Sequence, residues 1–463
     1  MIPFLPLVLV LSLAVPSVGT VAGLSSTDMS AADSSAAGTF TADTSAADPS
    51  AAGTFAADPS AAGTFAADPS AAGTFAADTS AAGQVPAARA GVADTAAARP
   101  APLVDYLWVT RSALLDRAAI ERLVTRASAA GVRGLLVQVV GRGDAFYRSD
   151  LLPRSEALGP SDFDPLAFVL ERSHAAGLEV HAWMNCVLVW SAPHLPRDPR
   201  HVLNRHPDWV AHLPDGRSMT RLNARERRRL GVEGVYLSPA RPAVRAWIAS
   251  IAQEIATRYA VDGIHLDYIR EPGAFAGLDA NARASFALEH GADPARFALE
   301  PPARRAALDS SWMAFQRAQV TAIVRGVRDS LARSRPGLAL SAAVLADTVS
   351  AERHHAQEWR AWVREGLLGR VFVMCYAPGV QTVLSQMLAY SSDPGTGRVV
   401  PGIAVFNSTA AATAAKIKGA FELGYRTLAL YSYDSLDERP GYWDALAGFL
   451  GAPPAAAPPM GSR

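Results

Sequence analysis

Residues 263–270 read Gly-Ile-His-Leu-Asp-Tyr-Ile-Arg. A strand turns successive side chains to opposite faces, so Ile264, Leu266 and Tyr268 share one face, and Gly263, His265 and Asp267 the other. The first set suits packing beneath helices. The second carries an imidazole and a carboxylate inward, where a buried charge is costly unless it has a polar pocket or a chemical purpose. A structural aspartate paired to Arg270 is the competing reading, and the architecture around the strand decides between them.

Seven more runs of this kind flank it: 104–109, 135–140, 179–186, 338–344, 371–376, 399–406 and 427–433. Each is rich in Val, Ile, Leu or aromatics, and helical stretches separate them, the pattern of a parallel β/α fold. The stretch ending at Gly131 has a typical C-terminal stop, and the one beginning at Pro242 has proline in its first turn. Eight strands with intervening helices predict a (β/α)8 TIM barrel with long insertions after strands 3 and 4 (187–238 and 271–308). A doubly wound open sheet is the alternative, but no Gly-rich phosphate loop follows the first strand.

In a barrel, polar residues at the C-terminal ends of strands read as functional. Strand three puts His181, Trp183 and Asn185 on one face, with Asn185 at the top. His181 lies four residues deeper, about 13 Å at ~3.3 Å per residue, which suits a barrel-core histidine and misaligns it as a metal ligand beside His265 and Asp267. No metal or cofactor is expected. Strand two runs into Gly141-Arg142-Gly143-Asp144, followed by Phe146 and Tyr147. Asp347 follows strand five, Tyr376 ends strand six, and Tyr433 and Asp434 end strand eight, where Asp434 equally suits a turn cap.

Four carboxylates (Asp144, Asp267, Asp347 and Asp434) are thus assigned to one rim, with Asn185, Arg142 and the aromatics Trp183, Trp190, Trp209, Phe146 and Tyr147. Carboxylate pairs beside aromatic platforms are what glycoside hydrolysis requires: one protonates the leaving oxygen, the other attacks or activates water. Strands four and five are neighbours about 4.8 Å apart. That spacing predicts Asp267 and Asp347 at the ~5–5.5 Å separation of a retaining pair.

The blocks LWVTRSAL, VQVVGRGDAFYRSD, HAWMNCVLVW, YLSPARPAVR and DGIHLDYIREP, in this order, resemble the family-10-like glycosyl hydrolases, a bacterial TIM-barrel family often met in envelope contexts. Looser blocks follow at SAAVLAD, VMCYA and YSYDS. The resemblance implies hydrolysis of O-glycosyl bonds, with members of that family linked to bacterial cell-wall glycans. It implies Asp267 as the central carboxylate and Arg142, Asp144, Asn185 and Arg270 as site-forming. Glu271 stands where that family pattern leads us to expect Tyr, which places a further carboxylate near the mouth, a competitor with Asp347 for the acid role.

The rest of the chain bears on location and partners. With 43 basic and 43 acidic side chains, the basic footprint of nucleic-acid or membrane-surface binding is missing. Cys186 and Cys375 make neither a disulfide scaffold nor a cysteine-built zinc site. Residues 1–23 hold an apolar run of signal-peptide length, with an uncleaved anchor as the alternative, so no other integral membrane segment is expected. Residues 24–102 carry a repeated DPSAAGTFAA decapeptide, one Phe per unit, too little apolar surface to offset the entropy of ordering. They read as a disordered spacer, and 453–463 as a disordered tail around a barrel spanning 103–452.

The sequence therefore predicts an exported glycoside hydrolase, periplasmic, envelope-bound or extracellular. Its expected substrate is a polysaccharide, with peptidoglycan glycan strands favoured. Asp267 is expected as nucleophile or electrostatic stabiliser and Asp347 as acid/base. Trp183, Arg270, Tyr376, Asp434, Arg142, Asp144 and Asn185 are expected to bind substrate. A non-catalytic carbohydrate-binding or scaffold barrel is the second reading, and a metal-dependent deacetylase or hydrolase the third.

Overall fold

The computed structural model describes residues 104–450, positions 275 and 394 excepted. The expected signal segment, repeat spacer and tail lie outside the described residues. Eight parallel strands close a barrel: β1 (Tyr106–Val109), β2 (Gly134–Val140), β3 (Glu179–Asn185), β4 (Gly263–Asp267), β5 (Ala339–Leu345), β6 (Arg370–Cys375), β7 (Val399–Ala404) and β8 (Ala429–Tyr431). Neighbours follow sequence order, and β8 pairs with β1 through Tyr106↔Ala429. That closure removes the open-sheet alternative.

Helices α1 (Arg117–Ala129), α2 (Pro165–Ala175), α3 (Pro242–Arg258), α4 (Pro302–Ser334), α5 (Trp359–Arg364), α6 (Val380–Ser391), α7 (Ala410–Glu422) and α8 (Tyr442–Leu450) surround it. Their starts are written in the sequence. The carboxylate of Asp116 accepts from the N–H of Ala119 at the head of α1, and Asp164 does the same for Ala167 at the head of α2. Such a cap contributes about 1 kcal/mol. Pro242 opens α3, where its missing N–H has no helical partner to lose.

Alternation along the strands separates two cores. Outward residues such as Ile264, Leu266, Val180 and Ala182 join the helices in the main core. Inward residues fill the barrel: Tyr106, Trp108, Leu136, Trp183, Ala343, Phe372, Val400 and Ala429. Gly263 is small because it must be, since a Cβ there would stand 2.2 Å from Nδ1 of His181. Beside it, His265 donates or accepts at both ring nitrogens. The Nε1–H of Trp108 donates to its Nε2 at 3.1 Å, so Nδ1 carries the proton and donates to Oγ of Ser341 at 2.9 Å. Burial, then the neighbouring His181, holds this imidazole well below its usual range and therefore neutral. With both nitrogens engaged it serves the core.

The N-terminal floor is a structural network. Oε1 of Glu179 accepts from Nε of Arg133 at 3.0 Å, and its Oε2 accepts from the Tyr106 hydroxyl at 3.1 Å. Hydrogen bonding to His181, then to Arg133, pulls the Glu179 carboxyl down to about 2 against its burial.

Both long insertions follow the strands expected. After β3, Leu188–Trp190 pairs antiparallel with Val235–Tyr236, making a two-stranded ribbon over the C-terminal rim. After β4, the helix Ala280–His290 and a short 3-10 turn, Pro294–Leu299, pack Phe286 and Phe297 against Leu308, Trp312 and Phe315 of α4, a small core of their own.

Candidate active site

β4 ends at Asp267, whose side chain points into the barrel at its C-terminal rim and is 7% exposed. Asn185 at the end of β3 is its register partner. The indole Nε1–H of Trp183 donates to Oδ2 of Asp267 at 3.1 Å, and the backbone N–H of Tyr268 donates to Oδ1 at 2.6 Å. Tyr268 adopts φ 49°, a left-handed conformation that costs a non-glycine residue about 1–2 kcal/mol. The sequence predicted it simply as the next outward residue of the strand, whereas the strand stops one residue earlier and the strained turn aims its N–H back at the carboxylate. Burial pushes the Asp267 carboxyl up to about 6, opposed by the Tyr268 N–H, by Arg270 and by Trp183, and assisted by the charge of Glu233.

Glu233 enters from the insertion, just ahead of the ribbon strand Val235–Tyr236. Its Oε1 accepts from Arg270 at 2.8 Å, and its Oε2 accepts from the Tyr236 hydroxyl at 2.6 Å. The Arg270 guanidinium, buried, lies 4.8 Å from the centre of the Tyr268 ring. Burial alone would raise the Glu233 carboxyl, but Arg270 and Tyr236 hold it below the ordinary range.

On the other side, Nδ2 of Asn185 donates to the carbonyl of Gly141 at 2.8 Å, and its Oδ1 accepts from Nε2 of Gln138 at 3.3 Å. This locks the end of β2 to the residue beside Asp267. The mouth itself is aromatic. Half-buried Tyr376, after β6, lies 5.1 Å from Tyr431 of β8 and 6.2 Å from Phe406, with Trp108 beneath it at 6.3 Å. A buried carboxylate whose proton affinity is tuned toward neutrality, under a half-open ring of aromatics, is suited to meet developing positive charge on a sugar.

The other predicted site residues divide. Asp144 accepts from the N–H of Arg142 at 2.9 Å, and Nε of Arg142 donates to Oγ of Ser191 at 2.8 Å, so both brace the turn after β2 against the insertion. Gly143 there has φ 68°, and a Cβ would meet His201 at 2.7 Å. Asp434 accepts from the N–H of Thr110 at 2.9 Å and the Ser112 hydroxyl at 2.8 Å, tying β8 to β1. Arg270 is 4% exposed and engaged with Glu233, so its contact is to the carboxylate cluster.

Several aromatics expected as platforms are interior. Trp183 is 3% exposed and serves Asp267; Trp190 is buried with its indole N–H on the His194 carbonyl. Phe146 and Tyr147 are buried because the chain doubles back along β2, pairing Ala145 with Val140, and turns both rings into the outer layer, where Tyr147 donates to Glu254 at 3.0 Å. Trp209 stays partly exposed, stacked on His206 at 4.0 Å.

The register alters the expected carboxylate pair. Leu266 pairs with Ala342, so Asp267 is one residue past that rung and Asp347 five. Four residues of extended chain span about 13 Å, and strand adjacency alone therefore does not bring the two carboxyls to retaining distance. Asp347 is exposed, and its Oδ1 accepts from the N–H groups of Val349 and Ser350 at 3.0 and 3.1 Å, capping the helix Thr348–His354. Glu271 is 3% exposed, with Oε2 unpartnered. Burial first, then the charge of Asp279, pushes its carboxyl up to about 8. It sits beneath the second insertion, its backbone N–H bonded to the carbonyl of His355.

A family model for glycosyl hydrolase-like 10 domains matches residues 107–405, more than half of the chain. The chain belongs to this family. Among curated relatives, glycosyl hydrolase DigH of Escherichia coli (strain K12) is 29% identical over 183 residues, 36% of this chain and 37% of that protein. Glycosyl hydrolase YngK of Bacillus subtilis (strain 168) is 30% identical over 158 residues, 32% of this chain and 27% of that protein. The match thus spans well under half the length of either relative. Among solved structures, the glycoside hydrolase domain of PgaB (BpsB) from Bordetella bronchiseptica superposes with a TM-score of 0.58 at 15% identity, covering 76% of this chain and 99% of that one. Alpha-L-fucosidase isoenzyme 2 from Paenibacillus thiaminolyticus gives 0.52 at 12% identity, over 75% and 49%. At such identities these two report a shared barrel fold.

Sequence reasoning missed Gln138, Glu233, Tyr236 and Tyr431. Gln138 was within reach: it alternates with inward Leu136 on β2. Glu233 lies in an insertion without periodicity, and nothing in its local sequence points to Arg270.

Proposed function

We propose that this chain is a glycoside hydrolase cleaving O-glycosyl bonds of a polysaccharide, with Asp267 as nucleophile or electrostatic stabiliser. The observation that carries the reading is the inward, hydrogen-bonded Asp267 carboxylate, pushed up to about 6, at the strand ends where the partly buried Tyr376 and Tyr431 also stand. Family membership supports the chemistry. Tyr376, Tyr431 and Phe406 supply stacking surface for sugar rings, and Asn185 fixes the wall beside the carboxylate. Asp347, the acid/base choice from strand adjacency, enters as a partner to be tested by substitution, since its Oδ1 already holds a helix N-terminus.

Peptidoglycan glycan strands are the substrate we favour, together with export, the apolar run at 1–23 acting as the address. Incubation of the purified protein with peptide-free glycan strands and with other polysaccharides, followed by mass spectrometry of the products, tests this. Shortened strands with new reducing ends are the expected result. A non-catalytic carbohydrate-binding barrel draws on one observation: Asp144, Asp347 and Asp434 each already accept backbone N–H donors. Binding with no product from any glycan is the outcome that favours it.

A further inference from the structure

The Arg270–Glu233 pair lies within Coulomb range of the Asp267 carboxyl. Arg270 is 4% exposed, and one of its donors, Nε, is buried without a partner. Its Nη2 goes to Glu233 at 2.8 Å, its face lies over Tyr268, and Tyr236 clamps the far oxygen of Glu233 at 2.6 Å. The groups that face Asp267 are Arg270 and Tyr268 from its own loop, Glu233 from the ribbon, Cys186 after β3 and Tyr376 after β6. Arg270 is the cation in that set. A guanidinium with a spare donor is suited to pair with a second carboxylate within Coulomb range when the first is removed.

We propose that Glu233 is a positioning residue: it holds the Arg270 guanidinium on the ribbon and keeps it from pairing with Asp267. The insertion after β3 then has a definite task. It brings in an anion that competes for the arginine, leaving Asp267 held by the neutral donors of Trp183 and Tyr268. This deepens the hydrolase reading and rests on it for its catalytic consequence. A carboxylate already neutralised by an ion pair gives little stabilisation to an oxocarbenium-like centre.

The test is the titration of Asp267 followed by carbon-13 NMR of aspartate carboxyls in the full chain, the signal being identified by its loss in Asp267→Asn. The wild-type midpoint is expected near 6. In Glu233→Gln the midpoint should fall by about one pH unit or more, the lost charge of Glu233 and the freed Arg270 both lowering it, and a crystal structure of that variant should show Arg270 on Asp267; Glu233→Asp, which keeps the charge, should return the midpoint toward the wild-type value. An unchanged or higher midpoint in Glu233→Gln overturns the proposal. Should Glu233→Gln fail to fold, a crystal structure of the wild-type protein above pH 7, with Asp267 ionised, decides instead. Arg270 still on Glu233 is expected, and Arg270 on Asp267 overturns it. Neither measurement uses a substrate. A protein inert toward every glycan would sink the hydrolase reading and leave this result standing, whereas an active protein whose Asp267 ignores Glu233 would sink only this assignment.

Discussion

The indole N–H of Trp183 on β3 reaches Oδ2 of Asp267 on the adjacent β4 at 3.1 Å, within the barrel and out of solvent. Two inward positions on neighbouring strands thus make one unit, a carboxylate and the donor that orients it. A hydrogen bond to a charged group contributes about 1.5–3 kcal/mol. Trp183→Phe keeps the packing and removes the donor. We expect turnover on a competent glycan to fall about 10- to 100-fold, and the acid limb of the pH profile to move upward because the ionised form has lost a partner. An unchanged acid limb would show that the bond does not serve the carboxylate.

Asp267→Asn keeps the shape and removes the charge. Turnover should fall roughly 10³-fold or more, with glycan binding retained. Stability is expected to move the other way. The folded carboxyl titrates near 6, above its ordinary 3.8, so its contribution to stability is present below about 4 and is lost as pH rises through about 6. At pH 7 the amide variant should therefore melt no lower than the wild type. Thermal melts beside product assays check both halves.

Glu271 predicts a wider pH effect on stability. Its carboxyl is pushed up to about 8 from 4.5, so folding favours its protonated form, and stability falls as pH rises from about 4.5 through 8. Glu271→Gln mimics the protonated state. Its melting temperature should match the wild type at pH 5 and exceed it at pH 9, and a variant less stable at pH 9 would contradict the burial argument.

Asp347→Ala separates a cap from a catalyst. Loss of the cap on Thr348–His354 should cost about 1 kcal/mol of stability, read from denaturant unfolding. Because its Oδ1 is engaged by the helix N–H groups, we expect turnover within about tenfold of wild type. A loss of about 10²–10⁴-fold, with glycan binding intact, would restore Asp347 to the acid/base role.

The barrel was legible because its signals are local and repeated. Runs such as 371–376 and 399–406 alternate with helical stretches bounded by signals such as Gly131 and Pro242, and each such signal acts within a few residues of itself. Period-two alternation also carried the inward set of β4 correctly, because side-chain direction in a strand is fixed by the backbone. Alternation fails once the strand ends. Phe146 and Tyr147 turn into the outer layer as the chain doubles back from Val140 to Ala145, and Tyr268 enters the left-handed region, neither of which a two-residue alternation encodes.

By itself, then, the sequence determined the closed eight-stranded wall, the positions of both insertions and the inward face that bears Asp267, since these follow from hydrophobic periodicity and from turn and cap chemistry. Only the tertiary structure decided what surrounds that carboxylate. Register along the barrel set Asp347 beyond its level, and the folding of the first insertion brought Glu233 onto Arg270. Both depend on how distant segments slide and pack against one another, and no spacing within a single segment encodes that.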